Sequence, residues 1–202
     1  MEIVSSRDKI VIVAQRVFGR LGFNKTTMTD IANAAKRGRR TIYTHFKSKE
    51  DVYEAVIEKE VGILNEELKN ISKENTEAPI RLKHYILRRM ITIRNLLNYH
   101  EALKKAFFEE HSRFACIRKK FDDKEYAYIH AILRDGIEKG DFINLNEELT
   151  VKNIMITIKA FEMPYFKDNY TKDNEKQLNN ILDILLFGIC QPDMKDKINY
   201  NK

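Results

Sequence analysis

Two helix-start signatures, Thr27-x-x-Asp30 and Ser48-x-x-Asp51, stand near the amino terminus with little chain between them. In each, a hydroxyl can accept from a backbone N–H three residues on, while the acidic side chain sits at the positive end of the helix dipole. Between them lie a brief apolar stripe, Met28, Ile31, Ala32 and Ala35, then Gly38, then the segment RRTIYTHF. That space holds two short helices, about residues 28–35 and 39–46, and one tight turn for which Gly38 offers a permissive backbone. The product is a helix-turn-helix, in which Ala34 and Ala35 let the helices approach and Ile42 and Phe46, four apart, give the second helix one apolar edge.

The three-four apolar spacing continues through the chain. Ser5 or Ser6 opens a helix over about 6–21 with Ile10, Ala14, Val17, Phe18 and Leu21 inward, and Gly22 stops it. Ser48 opens a fourth helix with the stripe Val52, Ala55, Val56 and Ile63, and the stretch from Asn70 to Pro79 reads as a solvated break. Further helices are predicted near 79–97, 101–113, 119–139, 147–165 and 173–190, with Pro79 at a start, Gly140 at a stop, and Pro164 and Pro192 at ends. The predicted fold is therefore all-α, with about nine helices. Only 3 Pro and 7 Gly occur in 202 residues, and no alternating strand pattern stands out.

Several classes are disfavoured. Cys116 and Cys190 are isolated, so free thiols are expected, with no disulfide framework and no metal site. No apolar run reaches the roughly 18 residues that span a bilayer, and the amino terminus lacks the order of a signal peptide, so a cytoplasmic protein with no membrane partner is expected. Glycine-rich phosphate loops, His-Glu-x-x-His and Gly-x-Ser-x-Gly are missing. Paired carboxylates such as Glu66-Glu67 and Glu109-Glu110 point about 100° apart on a helix and do not converge.

Charge is distributed unevenly. Residues 1–50 hold 11 Lys and Arg against 4 Asp and Glu, net +7, whereas residues 51–202 hold 25 against 26, net −1. A polyanion is the natural partner of the first segment, because neutralising phosphates releases condensed counterions.

The run TTMTDIANAA, a turn, and RRTIYTHFKSKEDVYEAV, preceded by a helix ending VFGRLGF, resemble the amino-terminal domain of TetR/AcrR-type bacterial transcriptional regulators. The likeness is specific over about residues 6–58. Beyond, it rests on helix count and the phrase ILRDGIEKGDF. It implies a DNA-binding domain over 1–50 with a recognition helix about 39–46, joined through the helix starting near 49 to a helical ligand-binding and dimerisation domain over 51–202. Carried over by position, Thr27, Thr41, Tyr43, His45 and Lys49 match phosphate contacts, Arg39 and Arg40 lie nearest the base edges, and Lys36, Arg37 and Lys47 complete the DNA-binding set. Planar arginine forks suit bidentate pairing with guanine. This chain departs from the family at Ala35-Lys36-Arg37, where Ala-Gly-Val is usual; the expectation is that Arg37 lays its stem where the valine would pack.

In the later helices, Tyr85, Phe107, Tyr126 and Phe161 are the candidate lining of a small-molecule pocket of the kind the resemblance implies, with no cofactor expected. The last helix carries Leu178, Ile181, Leu182, Leu185 and Ile189 on one stripe, with Ile184, Leu186 and Phe187 off it. An apolar surface this wide needs a cover, and a second copy is the natural one, through helices near 147–165 and 173–190. The resulting expectation is a homodimeric repressor on a palindromic operator, released by a small-molecule effector. A helical adaptor gripping an acidic protein and a helical enzyme with an unrecognised site remain as alternatives.

Overall fold

The computed structural model describes residues 5–99, 114–166 and 172–189. The helix expected near 101–113, with Phe107, lies outside them. Every regular element among the described residues is a helix: α1 Ser6–Leu21, α2 Met28–Ala34, α3 Arg39–His45, α4 Lys49–Ile71, α5 Ala78–Tyr99, α6 Ala115–Glu138, α7 Glu147–Phe166 and α8 Lys172–Ile189.

The starts follow the capping chemistry. The Ser5 hydroxyl accepts from the Asp8 N–H at 3.1 Å, and Thr27 and Asp30 cap each other reciprocally. At α4 the Ser48 hydroxyl accepts from the Asp51 N–H while the Asp51 carboxylate accepts from the N–H groups of Lys47 and Ser48. Gly22, at φ 76°, ends α1 and donates to the Phe18 carbonyl at 2.8 Å. Two boundaries differ from expectation. Helix α6 begins at Ala115 rather than near 119, and α7 runs through Pro164 to Phe166. The proline stands in the final turn, where it interrupts little helix, and burial of Tyr165 and Phe166 just beyond it favours the extension.

The described residues fall into two compact units, one drawn from Met1–Ile63 and Asn95–Lys120, the other from Leu64–Arg94 and Phe121–Lys202. In the first unit, Ile10, Ala14, Val17 and Phe18 of α1 are buried, as are Ile31 and Ala32 of α2, Ile42 of α3, Phe46, and Val52, Tyr53 and Val56 of α4. The rings of Phe18, Phe23 and Tyr53 meet at centroid distances of 4.8 to 6.0 Å. Ala34 is exposed and Ala35 only half-buried, so Ile31 and Ala32, not the later alanines, form the inward side of α2. The α4 stripe also stops short of Ile63, which is 61% exposed.

The second unit buries Leu68, Leu82, Ile86 and Met90 together with Ile129, Ile132, Leu133, Ile154 and Ile158. From α8 the buried side chains are Leu178, Leu182 and Leu186, spaced by four, while Leu185 is half-buried and Ile184 is 65% exposed. The inward stripe is thus rotated toward Leu186 from the expected one, because the apolar surface of α8 is wider than a single stripe and the four-residue row Leu178, Leu182, Leu186 is the one buried.

Within this apolar interior sits a charged cluster. Arg89 of α5 is 1% exposed; its Nε donates to Glu125 Oε1 of α6 at 2.5 Å, and its Nη2 donates to Glu162 Oε1 of α7 at 2.7 Å. The Phe121 ring covers the guanidinium, centroid to Cζ 5.6 Å. Burial pushes the Glu125 carboxyl above its ordinary range, and the attraction of Arg89 offsets part of that push. Burial also works against the Arg89 charge, yet the two carboxylates outweigh it and hold the guanidinium protonated.

Removing one partner of such a cluster strands charge in the interior. Arg89→Met should lose about 3–5 kcal/mol at neutral pH, while replacing all three residues by apolar ones should lose less than the single change. Because the folded Glu125 pKa is raised, the burden of its ionised form grows as pH rises and is relieved as pH falls; the Arg89→Met deficit should therefore shrink between neutral and mildly acidic urea melts. A small deficit at both pH values would show that the cluster does not tie these helices.

Candidate nucleic-acid interface

Helices α2 and α3 have seven residues each, too short to persist without packing. Packing on α3 comes from Ile42, fully buried, and Phe46 at its carboxy-terminal cap. With that edge fixed inward, Arg39, Arg40, Tyr43, Thr44 and His45 are all exposed and Thr41 is half-buried. Lys36, Arg37 and Lys47 are exposed in the flanking turns. One surface therefore gathers cations and hydroxyls at the start and along the open side of α3.

The turn before α3 differs from expectation. Gly38 has φ −65° and ψ 146°, ordinary extended backbone, and serves as the amino-terminal cap of α3, its carbonyl accepting from Thr41 at 2.9 Å. The left-handed residue is Lys36, at φ 50°. Its N–H donates to the Asn33 carbonyl at 3.1 Å and the Arg37 N–H donates to the Ala32 carbonyl at 3.0 Å, the paired bonds of a Schellman helix end. These bonds satisfy the last carbonyls of α2 whatever side chain stands at 36, so a lysine is accommodated where glycine is easier. Arg37 is exposed and its stem does not fill a valine site; Ala32 and Ile42 bury the space between α2 and α3 instead.

Thr27 is exposed at the start of α2, its hydroxyl donating to Asp30 Oδ2 at 2.6 Å and accepting from the Asp30 N–H at 3.2 Å. Those bonds from Thr27 hold the Asp30 carboxyl below the usual carboxylate range. Lys49 has an internal role that sequence reasoning missed. Its Nζ donates to the Phe23 carbonyl at 3.0 Å and lies 4.4 Å from the centroid of the Phe23 ring, tying the start of α4 to the loop between α1 and α2. Arg7, also missed, places its guanidinium 5.1 Å from the centroid of Phe46, beside the end of α3. Neither pairing has a local signal, since each joins residues far apart in sequence.

In the second unit, Tyr85 and Phe161 are buried. The Tyr85 hydroxyl reaches toward Glu125 Oε1 at 3.5 Å, and burial raises its pKa well above the usual phenol value. Tyr126 is half-buried and stacks on His130 at 6.0 Å, and His130 in turn faces Glu147 at 3.2 Å. The structure therefore places Tyr85 beside the charged cluster and Tyr126 beside a separate, more open pair. Phe107 lies outside the described residues.

Residues 10–56, which include the capped α2, its turn and α3, match the family described as bacterial regulatory proteins, tetR family. That amino-terminal segment carries the TetR-type DNA-binding domain. Along nearly its whole length the chain is similar to the transcriptional regulator QacR of Staphylococcus aureus, 24% identical over 191 residues that cover 92% of this chain and 98% of QacR. Its fold is similar to that of a transcriptional regulator from Cytophaga hutchinsonii, with a TM-score of 0.78 at 28% identity, covering 90% of this chain and 97% of the other. It also resembles the fold of FadR from Bacillus subtilis, solved in complex with stearoyl-CoA, with a TM-score of 0.62 at 24% identity over 90% and 98% of the two chains. These relatives are transcriptional regulators, and none of the three is described as an enzyme.

The left-handed backbone at Lys36 sets a clear expectation for stability. Lys36→Gly should raise it by about 1 kcal/mol, the penalty for a side chain at positive φ less the extra chain entropy of glycine. Gly38→Ala, at ordinary φ with open space around the new Cβ, should change it by less than about 0.5 kcal/mol. Urea denaturation of both variants checks the pair, and the opposite ranking would contradict this account of the turn.

Proposed function

We propose that this chain is a homodimeric repressor of the TetR type that lays α3 in the DNA major groove and leaves its operator when a small molecule binds the second unit. The reading rests on one observation: burial of Ile42 and Phe46 turns Arg39, Arg40, Tyr43 and His45 together toward solvent. In this proposal Arg39 and Arg40 pair with base edges, while Thr27, Thr41, Tyr43 and His45 hold phosphates. Lys36, Arg37 and Lys47 add phosphate attraction around the turn, and Lys49 acts mainly by fixing the loop that precedes α2.

The division of labour proposed is residues 1–50 for DNA and 51–202 for effector and dimer. Support for the dimer is apolar exposure on α7 and α8, at Leu149, Ile156 and Ile184, with Ile181 and Leu185 half-covered beside Ile184. A second copy would remove these side chains from water, and two-fold symmetry would then demand a palindromic operator with half-sites about one DNA turn, roughly 34–36 Å, apart or somewhat more. Support for an effector is the likeness in fold to FadR, solved with stearoyl-CoA. The interior beside Tyr85 and Phe161 is the proposed location. The protein would work in the cytoplasm, and among the described residues no helix is long and apolar enough to cross a membrane.

Electrophoretic shift of duplex from the protein's own upstream region tests the reading. Binding should weaken steeply with salt; Arg39→Ala or Arg40→Ala should lose about 1–3 kcal/mol and relax sequence preference, whereas Lys36→Ala should weaken all sequences evenly and lower the salt slope by about 1. Absence of a shift at low salt, with the helices intact by circular dichroism, would overturn it.

A further inference from the structure

The geometry points to Arg7 of α1 as a further DNA contact, a phosphate-binding cation at the carboxy-terminal end of α3. This inference rests on the regulator reading above and adds a residue that the family resemblance did not supply. Arg7 stands on the inward side of α1: it precedes Ile10 and Val11 by three and four residues, and these with Ala14, Val17 and Phe18 are the buried side chains of the helix. An apolar residue is what such a position calls for. The chain has an arginine there, and packing supplies only half of the reason. Its guanidinium lies 5.1 Å from the centroid of the Phe46 ring, and Phe46, the carboxy-terminal cap of α3, is 4% exposed. An uncharged side chain of similar length would shield that ring as well.

The other half is the charge. Among the described residues no carboxylate pairs with Arg7 and no acceptor takes its N–H groups. Asp8, its neighbour in sequence, is engaged by the Ser5 hydroxyl at 2.7 Å, and Asp51, which follows α3, accepts from the N–H groups of Lys47 and Ser48. Arg7 is exposed, as is Lys47, which brings a second cation to the same end of α3. Gathering like charges is unfavourable in the free protein, and a polyanion relieves it. Attraction to the Phe46 ring narrows the orientations of the guanidinium, so less freedom is lost when a phosphate oxygen arrives. Placed past the end of α3 rather than along it, Arg7 meets the duplex backbone and not a base edge, so its contribution is independent of sequence.

Two variants separate the charge from the packing, read as dissociation constants over a range of salt on the upstream duplex and on an unrelated one, with melting temperatures alongside. Arg7→Met keeps an unbranched stem beside Phe46 and removes the charge. It should leave the melting temperature unchanged, weaken binding to both duplexes by the same factor, at least about threefold at low salt, and lower the salt slope by about 1 for each protomer bound. Arg7→Lys should keep the salt slope of the wild type. Ethylation interference should mark a phosphate beside the α3 site with the wild type that Arg7→Met no longer marks. Wild-type affinity and salt slope in Arg7→Met, or a loss that comes with a lowered melting temperature and is not recovered in Arg7→Lys, would overturn the proposal while leaving the regulator reading in place. So would a loss confined to the upstream duplex, which would mean a base contact. A wild-type chain that does not bind the duplex at low salt would remove both.

Discussion

The burial of Ile42 and Phe46 is the contact on which the functional surface depends. A seven-residue helix forms too few internal hydrogen bonds to outweigh the entropy of ordering it, so α3 exists because Ile42 and the cap residue Phe46 are taken from water as it packs on α2. The same two side chains set the rotation of the helix. With them inward, no choice remains for Arg39, Arg40, Tyr43 and His45 but the solvent side, and the excess positive charge of the first fifty residues becomes a surface instead of a scatter.

The second unit is organised by a different constraint. Arg89 with Glu125 and Glu162 places polar groups from three helices at one buried point, where every alternative arrangement of those helices would leave a charge without its partner. Such a cluster adds little net stability over an apolar core, yet it penalises misalignment heavily. That gives α5 a defined register against α6 and α7 within the second unit.

Much of the fold was legible in sequence because local chemistry decides it. The Thr27–Asp30 and Ser48–Asp51 caps, the stop at Gly22 and the apolar edge Ile42–Phe46 all involve residues within four positions of each other, and all appear as read. The turn was misread for a physical reason: glycine is permissive but not obligatory, and the Schellman bonds of Lys36 and Arg37 stabilise a left-handed lysine while Gly38 takes an ordinary extended conformation. Contacts between distant residues left no trace, including Lys49 on Phe23, Arg7 on Phe46 and the whole Arg89 cluster. Period alone also failed to choose between Leu185 and Leu186 on α8, because an apolar surface that wide offers more than one inward stripe.

The central claim is that the solvent side of α3 and its preceding turn is the surface that meets DNA. Hydrogen–deuterium exchange of the full-length protein, with and without its upstream duplex, measures this directly. Amides from Lys36 to Lys47, together with those at the Thr27 cap, should exchange more slowly when DNA is present, while α7 and α8 remain unchanged. Protection that spares α3, or that concentrates on α7 and α8, would contradict the account.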